Sequence, residues 1–233
     1  PHIHVTDNAV MNSLLLRAAF EERIKHFIFF SCTIMLPSSP KAQKEDDWNS
    51  SKEILPPYFG AAWSKIYIEK MCEFYAHQST TKFTVIRHSN IYGPHDKFDL
   101  DHSHVFGATI TKCMTAQNGE VNVWGDGEEK RDFLFVDDLI EFVNLAITKQ
   151  SNQFSIYNVG SGTSISIKEL VESVIAESNK KLSLKLQPNK PTIKSSIHLD
   201  CTKALRELGW RPKTSLKAGI IKTLEWWAEK YSK

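Results

Sequence analysis

No C-x-x-C pair occurs in this sequence, and its four cysteines (Cys32, Cys72, Cys113 and Cys201) are scattered. Scattered thiols supply neither a zinc site nor a disulfide framework, and they point to a reducing, cytoplasmic compartment. No stretch approaches about 18 consecutive apolar residues, which argues against a membrane-spanning helix. An excess of charge of one sign is also lacking: 29 Lys+Arg stand against 27 Asp+Glu, a net +2 at pH 7. A protein that grips nucleic acid through a basic field needs more than that. There is no initiator Met, signal peptide, internal repeat or low-complexity tract. Glycine-rich phosphate-binding turns are missing too. Neither G-x-G-x-x-G nor G-x-x-G-x-x-G occurs, and the GDG and GSG strings lie late in the chain.

What is present is ordinary globular material: 233 residues, 41% hydrophobic and 24% charged, enough for one large domain or two small ones. Pro1 to Asp7 reads as a loop, and Asp7 or Asn8 caps a helix carrying Met11, Leu14, Leu15 and Ala18 at helical spacing. The run HFIFFS (His26 to Ser31) suits a strand buried on both faces. A polar loop from Pro37 to Pro57 leads to a helix over about Ala61 to His77, with Ile66, Met71, Phe74 and Tyr75 available for its core face. TVIR (Thr84 to Arg87) is a strand, followed by a long loop to Ser103 and a helix over about Val105 to Ala116. VNVW (Val121 to Trp124) and RDFLFV read as strands, the latter feeding a helix over about Asp138 to Thr148, which Asp137 and Asp138 cap. Ser155 to Val159 is a strand. Ser166 and Glu169 form an S-x-x-E capping box. Leu182 to Leu186 alternates as a half-exposed strand does, and helices over Cys201–Leu208 and Leu216–Tyr231 close the chain. Strands alternating with helices predict an α/β fold with a parallel sheet.

Several strings occur in a telling order: FFSCTIMLPSS (Phe29 to Ser39), WSKIYIEKMCEFYA (Trp63 to Ala76), RHSNIYGPHDKF (Arg87 to Phe98), WGDGEEKRDFLFVDDL (Trp124 to Leu139) and YNVGSG (Tyr157 to Gly162). With the terminal LGW-P…WW pattern, they resemble the extended short-chain dehydrogenase/reductases, the NAD-dependent epimerase/dehydratase family. Within that family the stretch from Asn90 to Ala108 is most similar to the branch that acts on GDP-linked sugars. The resemblance implies a partial Rossmann-like doubly wound sheet whose first βαβ units are missing, about 80 residues of the usual fold. It further implies a cofactor part over residues 1–90 with interleaved segments near 131–160. A smaller C-terminal α/β lobe for the substrate would occupy mainly 91–233. The ligands implied are NAD or NADP and a nucleotide-diphosphate sugar, with no nucleic acid, membrane or metal. A homodimer packed through the first two helices is implied as well.

Such enzymes move a hydride between a sugar carbon and a nicotinamide while a proton moves on or off the sugar oxygen. The family uses a Tyr and a Lys spaced Y-x-x-x-K on one helix face, with a Ser or Thr hydrogen-bonding the same oxygen. Lys65 matches the Lys, which also binds the cofactor ribose, but Ala61 stands where the Tyr is expected. Alanine cannot exchange a proton. An engineered knock-out, a decayed paralogue and a site using another acid all remain open. Cys32 falls at the hydroxyl position, flanked by Ser31 and Thr33. A thiol is the weaker donor, so Thr33 or Ser31 can take part, Ser31 towards the cofactor. All three can equally just satisfy a strand end. His104, in the Ser-His-Val segment, matches an acid/base that exchanges a proton at carbon during epimerisation, and imidazole titrates near neutrality. His95 and His102 are its neighbours, and their spacing fits no zinc site. Asn90 would hold sugar or nicotinamide at the carboxyl edge of the sheet, or simply cap a loop. Lys112 and Arg131 match cations on a diphosphate, and Trp124 would lie beside the base or in the core. The leading expectation is a nucleotide-sugar epimerase/dehydratase or epimerase-reductase, impaired by Ala61 and the missing glycine-rich half. The alternative is an inactive nucleotide-sugar-binding or structural paralogue.

Overall fold

The computed structural model describes residues 2–231, with side chains from Val5 onward. Helix α1 (His2–Glu21) already begins at His2, so the expected loop over residues 2–7 is helical and Asp7 and Asn8 are not its caps. Strand β1 (His26–Ser31) follows, then the long polar loop and helix α2 (Phe59–Gln78). Strand β2 (Lys82–His88) pairs in parallel with β1, and β7 (Phe154–Val159) pairs in parallel with β2 on its other side. This three-stranded parallel sheet has β1 at its edge. β1 departs from expectation in that it is not buried on both faces: Phe30 is 43% exposed, while Phe29 packs under α2. β2 lies between two strands, and its Phe83, Val85 and Ile86 are fully buried, as a central parallel strand requires.

α2 packs on the sheet through Ile68, Cys72 and Ala76, which join Leu16 of α1 and Phe29, Phe83 and Val85 in one cluster. Ile66 and Ala62 pack separately with Met35 and Ile54 beneath the loop that follows β1. Phe74, expected in the core, is 58% exposed instead. On the sheet's other side, helix α4 (Val136–Lys149) sets Phe142 edge-on against Tyr157 and Trp210. Trp210 follows α6 (Thr202–Leu208), and its indole nitrogen donates to the Asp138 carbonyl at 2.9 Å. The aspartates do not cap α4. Its N-cap is Phe135, and the Asp138 carboxylate instead accepts from the backbone N–H groups of Lys213 and Thr214.

RDFLFV does not form one strand. It splits at Asp132 into β5 (Lys130–Arg131) and β6 (Phe133–Phe135), which belong to different sheets. β6 pairs in parallel with β3 (Asn90–Tyr92), while β5 lies between β8 (Ile165–Ser166) and β10 (Ser196–Ile197). Buried Asp132 makes the break. Its carboxylate accepts from Ser161 N at 2.7 Å, Ser161 Oγ at 2.8 Å and Leu199 N at 3.2 Å, drawing two distant segments onto one residue. The remaining elements build a second cluster. Helix α3 (Val105–Thr115), helix α5 (Ile167–Glu177) and helix α7 (Leu216–Tyr231) bury Phe106, Ile110, Leu170, Val174 and Ile220 against Tyr92, Phe133 and Phe135. Strands β4 (Glu120–Trp124) and β9 (Ser183–Gln187) close that side in parallel. The capping box at α5 forms as expected: Ser166 Oγ accepts from Glu169 N at 3.1 Å, and the Glu169 carboxylate accepts from Ser166 N at 2.7 Å. Gly209 ends α6 at φ 72°, a left-handed cap suited to glycine.

Candidate active site

The parallel strands β1 and β2 end side by side, and ligands of such sheets bind outside their carboxyl ends. A cavity of about 590 Å³ opens there. Its wall carries Cys32 and Thr33 from the turn after β1, His88, Ser89 and Asn90 from the β2–β3 crossing, and His95 and His104 from the following loop. A second cavity of about 360 Å³ is lined by Lys112, Trp124 and Arg131 together with Glu129 and Thr192. Val105 lines both cavities, so they adjoin at the start of α3.

The first cavity brings together Cys32, Thr33, Asn90 and His104. Burial pushes the Cys32 thiol up, so it stays neutral, a hydrogen-bonding group and not a thiolate. Asn90 is fixed by its neighbour: Nδ2 and the backbone N both donate to the Asp132 carbonyl at 3.0 Å. Its side-chain oxygen is the end left for a ligand. His104 is the N-cap of α3 with extended backbone and makes no side-chain cap bond. Its imidazole is therefore not consumed by the helix. His102 turns away, exposed and paired with Asp99 at 3.0 Å, and His95 stacks on Trp226 at 4.7 Å between ring centres.

Three expected site residues lie elsewhere. Ser31 is fully buried and its Oγ donates to Glu69 Oε1 at 2.6 Å, beneath the strand ends and away from the cavity. Alternation along β1 explains this, because adjacent side chains point to opposite faces. Lys65 and Ala61 sit on α2 and do not line the cavity wall. The Lys65 ammonium donates to the Phe30 carbonyl at 2.7 Å and lies 4.8 Å from the Phe29 ring centre. That places the ammonium against the end of β1, next to the turn that carries Cys32.

In the second cavity Trp124 is 54% exposed, so it is not a core residue. Lys190 lies 5.8 Å from its ring centre, a cation that sequence reading did not single out. Lys112 is half-buried and donates to the Asn122 carbonyl at 3.0 Å, and desolvation holds its ammonium below the usual lysine range. Arg131 donates to the Ser195 carbonyl at 2.8 Å and the Ile193 carbonyl at 3.2 Å. It thereby ties the 192–195 segment to β5 while lining the cavity. His88 and Ser89 were also missed by sequence reading. Ser89 is buried beside the Asp132 carboxylate, which its hydroxyl helps to stabilise.

Parallel strands that end together at a cavity, with helices packed on both sides of the sheet, are the architecture of the doubly wound α/β class. The chain belongs to the NAD dependent epimerase/dehydratase family, whose sequence pattern matches residues 1–160. It is 30% identical to the GDP-L-fucose synthase of Escherichia coli K12 over 98% of this chain and 74% of that protein. It is equally 30% identical to the GDP-L-colitose synthase of Yersinia pseudotuberculosis, over 95% of this chain and 73% of that protein. Among solved structures, the UDP-glucose 4-epimerase of Thermotoga maritima, determined with UDP-glucose, superposes with a TM-score of 0.81 at 28% identity. That match covers 97% of this chain and 71% of the other. The class is thus that of NAD(P)-dependent enzymes of nucleotide-sugar epimerisation, dehydration and reduction. No described helix is long and apolar enough to cross a membrane.

Proposed function

We propose that this protein binds a GDP-linked sugar across the two cavities and belongs to the epimerase-reductase branch of its family. One observation carries the reading. The cationic, aromatic cleft of Lys112, Trp124 and Arg131 adjoins, at Val105, the cavity that holds His104, Asn90 and Cys32. A diphosphate between the cations would set the base beside Trp124 and the sugar beside His104. His104 then exchanges a proton at the sugar ring. Cys32 or Thr33 donates to the sugar oxygen. Asn90, held by the Asp132 carbonyl, accepts from a sugar hydroxyl or the nicotinamide amide.

The residues present fit the nicotinamide end of the cofactor. The Nδ2 bond of Asn90 to the Asp132 carbonyl leaves its side-chain oxygen for the nicotinamide amide, and Lys65 stands at the end of β1 where a ribose would lie. Nothing in this sequence offers the glycine-rich turn for the pyrophosphate. When bound, NAD or NADP supplies the hydride acceptor or donor. In domain terms, residues 1–90 with the interleaved 131–160 serve the cofactor, and 91–233 mainly serve the substrate. The free thiols favour a cytoplasmic setting.

The test is titration of the chain with GDP, followed by Trp124 fluorescence and calorimetry. Lys112→Met and Trp124→Ala are each expected to weaken binding on the order of 10- to 100-fold, the worth of one charge-assisted bond or one stacked base. Failure of GDP, UDP and dTDP alike to bind, or binding indifferent to both substitutions, would sink the reading. Loss of Arg131 is a poorer probe because it also anchors residues 192–195.

The same reading includes a two-fold dimer. Met11, Leu14 and Leu15 of α1 and Tyr67 and Phe74 of α2 are each at least half exposed on adjacent packed helices. Light scattering is expected to give twice 26.6 kDa, and Leu14→Glu combined with Phe74→Glu is expected to give the monomer mass. A parent protein monomeric at high concentration would refute the dimer.

A further inference from the structure

The proposed reaction needs a proton to travel on or off the sugar oxygen, and Ala61 cannot carry it. We propose that His88 carries it: the imidazole at the carboxyl end of β2 is a catalytic acid/base that stands in for the missing phenol. The inference rests on the reading of the site as a nucleotide-sugar oxidoreductase centre.

Geometry supports it first. His88 is the last residue of the central parallel strand and lines the same cavity as Cys32, Thr33, Asn90 and His104. Its Nδ1 lies 2.7 Å from the Ser89 carbonyl oxygen. A carbonyl only accepts, so Nδ1 carries the proton. In the neutral ring Nε2 is then a bare acceptor, the form a base requires. The ring cannot flip freely without losing that bond.

Its surroundings keep the ring neutral. Burial lowers the imidazole below its ordinary value. Lys65 from α2 and His104 at the N-cap of α3 lower it further, against the opposing pull of the Ser89 carbonyl. Lys65 is held towards this spot through the Phe30 carbonyl, and the Phe30 ring lies 6.5 Å from the His88 ring, centre to centre. The family's lysine thus acts on His88 as it would on a phenol, lowering its affinity for a proton. The other titratable groups on the cavity wall are the neutral Cys32 thiol, Tyr92, His95 and Asp96. Burial pushes the Tyr92 phenol far up, and its hydroxyl lies against Gly219 of α7, so it does not serve as the acid/base. His95 is turned onto Trp226.

The step balances. In the oxidising direction the sugar O–H bond breaks and its proton passes to Nε2, making an imidazolium. The adjacent C–H bond gives up its hydrogen and electron pair as hydride to the oxidised nicotinamide, and the C–O bond becomes double. In the reducing direction each transfer reverses. His104, which lines the same cavity, is left to serve the ring carbon.

Two measurements test the assignment. Imidazole nuclear magnetic resonance on the chain without cofactor should show His88 as the Nδ1-protonated tautomer. Its titration should lie below the ordinary histidine value of about 6.5 and move upward in Lys65→Met. In oxidation of a GDP-linked sugar with NADP, the direction in which neutral His88 acts as the base, His88→Gln should lower kcat by about 10²- to 10⁴-fold, leave KM within a few-fold, and abolish the acidic limb of the pH profile. An Nε2-protonated ring, a titration indifferent to Lys65→Met, or a His88→Gln variant with parental kcat and pH profile would overturn the role of His88. A parent that binds GDP but never turns over would overturn it too. A parent that binds no nucleoside diphosphate instead overturns the reading of the site on which it stands.

Discussion

Glu69→Ala is expected to lower folding stability by about 3–5 kcal/mol, read as a shift in the urea midpoint, because it strands a buried cation. Arg87 and Glu69 are 4% and 3% exposed. Their contact is two-pronged, with Arg87 Nη2 to Glu69 Oε2 at 2.6 Å and Arg87 Nε to Glu69 Oε1 at 3.1 Å. Further hydrogen bonds hold both partners. Ser31 Oγ donates to Glu69 Oε1, and Arg87 Nη1 donates to the Glu45 carbonyl at 2.8 Å. A guanidinium cannot shed its proton, so removing the carboxylate leaves a full charge in a site with little water. The double variant Glu69→Met with Arg87→Met is expected to lose clearly less than Glu69→Ala, since no charge is left unpaired. Equal losses in the single and double variants would show that packing, not charge, sets the cost. The pair also matters for function. Ser31 and Arg87 are register partners across β1 and β2, and each immediately precedes a cavity residue, Cys32 and His88. Breaking the pair loosens the two strand ends from which the site is built.

This network shows where sequence reading reached its limit. Ser31 stood in a motif that implied a ligand contact, but strand alternation turns it inward onto Glu69, 38 positions away. The motif order was legible because it is local, and so were the helices carrying Lys65, Lys112 and the Ser166–Glu169 box. Which face of β1 is covered depends on where α2 packs, a property of the fold and not of HFIFFS. RDFLFV read as one strand for a similar reason. Its apolar pattern is continuous, and only the long-range bonds from Ser161 and Leu199 to Asp132 reveal the break. His88 carried no signal of its own within RHSN. Its significance comes from the Ser89 carbonyl, Lys65 and His104 meeting around it in space.

Gly107→Ala is the prediction that opposes local and tertiary rules most directly. By helix propensity alone, alanine at this third position of α3 would be favoured over glycine by up to about 1 kcal/mol. Tertiary packing forbids the gain. A Cβ at Gly107 would press into the Lys97 carbonyl oxygen, well inside contact distance, and would also meet Ser103 Cβ at 3.5 Å. A backbone carbonyl cannot rotate away as a side-chain tip can, so either α3 or the 94–104 loop must move. Overpacking of this kind typically costs about 1–3 kcal/mol, and we expect a net loss in that range by chemical denaturation. The displaced loop holds His104 against the first cavity and Leu100 and Ser103 against the second. GDP affinity should therefore fall in the same variant, and the His104 resonances should shift. A stabilised Gly107→Ala protein with parental GDP affinity would mean that the loop is free to yield. The close approach of α3 to Lys97 would then have no part in shaping the site.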